Sequence, residues 1–245
     1  MIVVMTDFGL EGPYTGQMKA VLQRAAPAVP VIDLFADLPP WNIQAAAYLL
    51  AAYSAGFPPG TVFLVIVDPG VGSSTRHPVA VSLDGRWFVG PDNGLFNIVA
   101  RRAAIQGWYD IHWRPSRLSH SFHGRDLFAP LAAQLANGDL SGIAGKDGPD
   151  CPTDDWPDDL AAVVYIDRYG NAVTGVRDTP GIDDKRLWVG DHVIEPAPYF
   201  SAIAIGQPFW YGNSNGLIEI AVNQGRADQL LGLKVGDPVR WWDGE

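Results

Sequence analysis

The chain has 245 residues, 47% of them hydrophobic and 18% charged, a balance that supports a buried core and excludes a disordered polypeptide. Its formal charge of −10 comes without any run of Lys or Arg, which excludes a surface built to neutralise nucleic-acid phosphates. The single cysteine, Cys151, rules out an internal disulfide, while 27 Gly and 20 Pro predict many tight loops.

The opening residues Met1–Asp7 show no basic stretch followed by a long apolar run, and no apolar run reaches the ~20 residues that cross a bilayer. A cytoplasmic protein without a membrane partner is therefore expected. Ile2–Met5 reads as a short buried strand, ended by the polar loop Thr6-Asp7-Phe8-Gly9. A helix follows from about Tyr14 to Ala25, with Met18, Val21 and Leu22 on one face. Val29–Leu34 is a second strand, and Pro39-Pro40 breaks the chain before a helix around Asn42–Ala52. Thr61–Val67 is apolar and β-branched almost throughout, as suits a parallel strand covered on both faces. Shorter strands are predicted at Val79–Leu83 and Trp87–Val89, with helices starting near Leu95 and running from Arg125 to Ala136. This alternation gives an α/β N-terminal domain with a largely parallel sheet over residues 1–145. Gly138–Asp159 is rich in Gly, Pro and Asp and reads as a domain linker, set at residues 146–160 between the two domains. Short strands at Ala161–Ile166, Leu187–Val189, Leu217–Val222 and Pro238–Trp242 predict a smaller, mostly-β C-terminal domain over 161–245.

Five polar, glycine-bearing clusters adjoin these elements: Thr6–Gly9, Asp68–Arg76, Phe122–Asp126, Asp167–Asn171 and Gly212–Gly216. Each has an ordinary structural reading when taken alone. Asp7 suits a cap, Asp68-Pro69-Gly70 a turn, and Asp167 with Asn171 a hairpin. Trp41 suits a core. The glycines of Gly70-Val71-Gly72 match neither common phosphate-binding spacing. Loops at the C-terminal ends of parallel strands are nevertheless where such sheets bind ligands, and Asp7 and Asp68 each follow a strongly apolar strand.

Together the clusters resemble one family. The strings MTDFG (Met5–Gly9), PPW (Pro39–Trp41), VDPGVGSSTR (Val67–Arg76), GPDNGL (Gly90–Leu95), FHGRDLFAP (Phe122–Pro130), IDRYGN (Ile166–Asn171) and GNSNGLIEIAVN (Gly212–Asn223) are similar to those of the S-adenosylmethionine hydroxide adenosyltransferases, relatives of the fluorinase and chlorinase. The resemblance runs from near residue 1 to about residue 240. It implies hydrolysis of S-adenosyl-L-methionine to adenosine and L-methionine by activated water attacking the ribose C5′, with no cofactor and no metal. It also implies a homotrimer with sites between subunits. Asp68, Arg76 and His123 correspond to the polar triad that prepares the water. Asp7 corresponds to the residue that holds the ribose hydroxyls, and Trp41 to one packing on the nucleoside. Asp167 corresponds to the partner of the methionine ammonium; Asn171, Asn213 and Asn215 to readers of adenine, with Tyr169 flanking it; and Ser214 shares their loop.

The residue types suit that reaction. The sulfonium departs as a neutral thioether and needs no acid, so the difficulty lies in the nucleophile, because bulk water has a pKa of about 15.7. A carboxylate or an imidazole accepts the proton, and a permanent guanidinium cation stabilises developing hydroxide; either Asp68 or His123 fits the accepting role. Three rival readings make distinct demands. In the related halogenases an aromatic residue stands in place of Asp68 and a tyrosine-serine pair in place of His123-Gly124. The fluorinase also carries an insertion where Leu83-Asp84-Gly85-Arg86 forms a tight turn here. A metal hydrolase would need close-spaced ligand pairs, which are absent from the sequence. A non-catalytic adenosine-binding module would bind the substrate and leave it intact.

Overall fold

Strands apolar on both faces need a covering layer on each side, and two of them organise the first unit of the chain, Met1–Thr153. The computed structural model describes residues 1–182 and 184–242; Asp183 and the last three residues of the expected second domain lie outside the described residues. The first unit runs β1 (Ile2–Thr6), α1 (Tyr14–Ala25), β2 (Val31–Phe35), α2 (Ile43–Tyr53), β3 (Val62–Ile66), β4 (Pro78–Leu83), β5 (Arg86–Pro91), α3 (Asn97–Arg101), β6 (Gln106–Ile111), a π-helical turn (Gly124–Phe128), α4 (Ala129–Ala136) and β7 (Ile143–Lys146). Every residue of β1 and β3 is buried.

The strand order is β2-β1-β3-β5-β4-β6-β7. β2, β1, β3 and β5 are parallel neighbours, whereas β4, β6 and β7 pair antiparallel. Ile2, Val4, Leu64 and Ile66 share one core with Met18 and Leu22 of α1 and Leu131 and Leu135 of α4. Alternation along the strands leaves Val3, Met5, Phe63 and Val65 for the opposite face. Helix α2 is buried from Ala45 to Ala51, and its Asn42 cap accepts the Ala45 N–H at 3.0 Å. The β4–β5 connection is the expected tight turn, with positive φ at both Asp84 (46°) and Gly85 (79°).

Two features depart from the reading of the sequence. Strand β6 was not anticipated, and β7 falls inside the Gly/Pro/Asp-rich stretch and ends at Lys146; the chain divides between Thr153 and Asp154, within residues 146–160. Residues 146–153 are fastened to the first unit by side chains. Lys146 Nζ meets Asp92 at 2.9 Å and Asp150 at 2.7 Å, while Asn97 Nδ2 donates to the Cys151 carbonyl at 2.8 Å. Composition registers the glycines and prolines of that stretch but not these distant partners. The helix expected from Arg125 begins one residue earlier and opens as a π turn, with Ala129 N–H bonded to the Gly124 carbonyl. Pro130 follows directly and has no N–H to donate to the carbonyl of Asp126, which favours the wider turn.

The second unit, Asp154–Glu245, contains β8 (Leu160–Ile166), β9 (Ala172–Arg177), β10 (Leu187–Val189), β11 (His192–Ile194), β12 (Pro208–Gly212), β13 (Leu217–Val222), α5 (Ala227–Leu230) and β14 (Val239–Trp241). Two antiparallel sheets, β12-β13-β9-β8 and β11-β10-β14, enclose a core containing Leu187, Trp210, Ile218 and Ile220. The mostly-β layout is as expected. Among the described residues, no helix is long and apolar enough to cross a membrane.

The Lys146 side chain is 11% exposed and that of Asp92 only 1%. Burial opposes the ammonium charge, but Asp150 and Asp92 outweigh it and hold the Lys146 pKa above its ordinary value. Removing the cation leaves Asp92 buried and uncompensated. Lys146→Ala is expected to destabilise the protein by about 3–5 kcal/mol, read as a lower urea midpoint.

Candidate active site

β1 and β3 are parallel neighbours in register from Ile2↔Val62 to Thr6↔Ile66, so the chain leaves both at the same edge of the sheet. From β1 it turns through α1 to β2 on one side, while β3 lies on the other. This edge is therefore a topological switch point, where open α/β sheets form ligand crevices. Asp7 and Asp68 follow the two strands there and line a cavity of about 520 Å³. Trp41, His123 and the aromatic group Phe8, Tyr14 and Phe122 complete much of its wall. Those three rings meet edge-on at centroid distances of 5.4–5.9 Å. Sequence reasoning left them unassigned, although Phe8 and Phe122 stand inside the MTDFG and FHGRD strings.

Backbone packing places Asp68. Gly90 lies where an added Cβ would come within 2.2 Å of the Val65 carbonyl oxygen, so only glycine lets β5 lie this close to β3. The neighbouring Asn93 Nδ2 then donates to the Val67 carbonyl at 3.0 Å, fixing the residue before Asp68. Further along the loop, Gly72 has φ +83°, and a Cβ there would reach within 2.5 Å of the His120 carbonyl oxygen. The loop bearing Arg76 is thus pressed against the segment leading into His123.

Asp68, Arg76 and His123, far apart in sequence, form one cluster. Arg76 Nη2 lies 2.9 Å from Asp68 Oδ2, with the two side chains 7% and 5% exposed, and 2.8 Å from His123 Nδ1. The contact with Asp68 is an ion pair without hydrogen-bond alignment. Both Asp68 oxygens and Arg76 Nε are buried without an aligned partner among the described residues. A guanidinium only donates, so His123 Nδ1 must accept, and the imidazole is neutral with its proton on Nε2. Burial and then the Arg76 charge hold the His123 pKa below its ordinary value, in agreement. Burial raises the Asp68 pKa, opposed chiefly by Arg76, and lowers that of Arg76, opposed by Asp68.

Asp7 Oδ2 accepts the Trp41 N–H at 3.0 Å, and burial raises the Asp7 pKa against the pull of that bond. Trp41 has φ 60°, a left-handed conformation costing a non-glycine residue about 1–2 kcal/mol, and its side chain sits in a residue 76% exposed. It is a cavity wall and not a core tryptophan.

Asp167, Tyr169 and Asn171 belong to the second unit, where they line a separate cavity of about 670 Å³ with Phe200, Tyr211 and Glu219. They form the turn between β8 and β9. Asn171 N–H and Nδ2 donate to the two Asp167 oxygens at 2.9 and 3.1 Å. Asn213, Ser214 and Asn215 do not line this cavity. Asn213 Oδ1 accepts the N–H groups of Asn215 and Leu217, and its Nδ2 donates to Glu219 at 2.9 Å, so its amide is spent inside the turn; Ser214 and Asn215 are exposed.

A carboxylate and a neutral imidazole that line a cavity at the switch point of an α/β sheet, both in contact with a buried guanidinium, make an enzyme site suited to activating a small nucleophile. The chain belongs to the SAM hydroxide adenosyltransferase family, residues 2–144 matching its N-terminal domain and residues 161–240 its C-terminal domain. A relative in Thermus thermophilus named (R)-S-adenosyl-L-methionine hydrolase is 38% identical over 98% of this chain and 98% of its own. A fluorinase of Actinopolyspora mzabensis is more distant, at 26% identity over 98% and 96% of the two chains. The solved structure of an uncharacterized conserved protein from Thermotoga maritima has TM-score 0.89 and 33% identity, covering 98% of this chain and 99% of the other.

The exposure of Trp41 separates a site residue from a core residue. Trp41→Ala is expected to change stability by less than about 1 kcal/mol, whereas Trp210→Ala, at a position 2% exposed, should cost about 3–5 kcal/mol. Urea unfolding of the two variants beside the parent measures both.

Proposed function

We propose that the protein hydrolyses S-adenosyl-L-methionine to adenosine and L-methionine, with Asp68 taking the proton from the attacking water. The observation that carries this reading is the buried Asp68–Arg76–His123 cluster at the cavity shared with Asp7 and Trp41. The water oxygen bonds to C5′, the C5′–S bond breaks with its electron pair passing to sulfur, and one water proton passes to Asp68. Arg76 stabilises the hydroxide character that develops, and His123, with its proton on Nε2, donates to the oxygen. Asp68 is the acceptor because Arg76 occupies the only lone pair of the neutral imidazole, while the carboxylate oxygens remain without aligned donors.

Asp7 offers its remaining acceptor capacity to the ribose hydroxyls while holding Trp41 against the nucleoside. Asp167, Tyr169 and Asn171 bind the methionine ammonium and the adenine; Asn213 shapes its turn, and Ser214 and Asn215 stand exposed on that turn. The names of the hydrolase relatives support the (R) sulfonium epimer as the preferred substrate. The family resemblance supports a cytoplasmic homotrimer with its sites between subunits, and sedimentation should give a mass three times that of the chain.

Purified protein incubated with each epimer of S-adenosylmethionine, with chelator, and with or without chloride or fluoride, should release adenosine and methionine in equal amounts by chromatography. Unchanged substrate, or a 5′-halogenated nucleoside in place of adenosine, would overturn the reading. Asp68→Asn should lower kcat by about 100-fold or more with little change in KM. In the parent, kcat/KM should rise with pH as Asp68 ionises, and its acid limb should lie above the ordinary aspartate pKa of 3.8 because burial raises that group. His123→Asn, which retains an acceptor for Arg76, should keep at least about tenfold more activity than His123→Ala. Equal loss in both variants would return the proton to the imidazole.

A further inference from the structure

Strand β13 has the sequence LIEIAV, and every residue in it is buried, including one carboxylate. Glu219 is 7% exposed between Ile218 and Ile220. A charge in that position needs partners, and its two side-chain partners among the described residues are neutral donors. Tyr211, directly opposite in β12, donates its hydroxyl to Oε1 at 2.6 Å, and Asn213 Nδ2 donates to Oε2 at 2.9 Å. Each partner governs a different surface. The Tyr211 ring packs on Phe200 and Phe209, both at a centroid distance of 5.6 Å, and with Phe200 it walls the second unit's cavity. Asn213 turns its other face to the N–H groups of Asn215 and Leu217 and so sets the turn 213–216.

We propose that Glu219 is the positioning residue of a purine pocket in the second unit, fixing Tyr211 as an aromatic wall and the 213–216 turn as its neighbour. This rests on the nucleoside reading given above. The cavity has the chemistry a purine demands, with flat aromatic surfaces from Phe200, Tyr211 and Tyr169 beside the hydrogen-bonding groups Asp167 and Asn171. Only a carboxylate serves both donors at once. Glutamine presents one acceptor and one donor: it either accepts from Asn213 and donates to the Tyr211 hydroxyl, whose own proton then loses its acceptor, or accepts from Tyr211 and turns an N–H toward Asn213. Aspartate at 213 would accept that N–H with one oxygen while keeping the other for the backbone of Asn215 and Leu217.

The test is adenosine binding by titration calorimetry, together with steady-state kinetics, on the parent, Glu219→Gln, and the double variant Glu219→Gln with Asn213→Asp. Glu219→Gln is expected to weaken adenosine binding about tenfold and raise KM with kcat little changed, with its circular dichroism spectrum retained. The double variant should return to within about threefold of the parent. A purely structural role predicts the opposite split, a lower active fraction and unchanged affinity, and that result overturns the proposal. If Glu219→Gln does not fold, the double variant decides: restored affinity supports the exchange of partners, and a folded protein without it refutes the exchange. Parent protein that binds no adenosine overturns the nucleoside reading, and this inference with it.

Discussion

A guanidinium buried between a carboxylate and an imidazole sets the terms for the first unit. Arg76 is withdrawn from water at a cost that the Asp68 charge offsets, and Asp68 is withdrawn at a cost that Arg76 offsets. Neither tolerates burial alone. The second consequence falls on His123, because an imidazole facing a permanent cation cannot readily gain a proton. One cation thereby favours opposite states in its two neighbours, drawing the aspartate toward its ionised form and the histidine toward its neutral one.

The sheet makes the cluster possible by bringing two strand ends to one edge. Parallel register between β1 and β3 places Asp7 and Asp68 side by side, near enough for the charge of Asp7 to raise the Asp68 pKa. Asp7 then serves two structures at once, holding the left-handed backbone of Trp41 with one oxygen. The left-handed backbone and the exposed aromatic ring belong to the same residue.

Much of this was legible in the sequence for physical reasons. Ile2–Met5 and Thr61–Val67 announce themselves because a doubly covered strand has no polar side chain to interrupt it. The polar strings at their ends stand out by contrast, and the family resemblance groups them. Side-chain partnerships were not legible. Lys146 reads as one lysine in a glycine-rich stretch until Asp92 and Asp150 are placed beside it. Asn213 reads as a base reader until its amide is found inside its own turn. Strand β6 hides because Gln106-Gly107-Trp108 mixes polar, flexible and aromatic residues over a short span. Glu219 carried a signal that was not used: a lone acid in an otherwise apolar strand must have found donors.

The π turn ahead of α4 bears on how the chain tolerates changes of length. Each residue in an α-helix advances the side-chain direction by roughly 100°. The buried face of α4, with Leu131, Ala132 and Leu135, has a fixed orientation against the sheet, and His123 has a fixed orientation toward Arg76. The wider turn at Gly124–Phe128 takes up one surplus residue and keeps the two in phase. Loss of one residue from this stretch would convert the turn to regular α-helix with both faces still in phase, whereas gain of one would rotate α4 by roughly 100° relative to His123. The core and the imidazole could then no longer both face their partners.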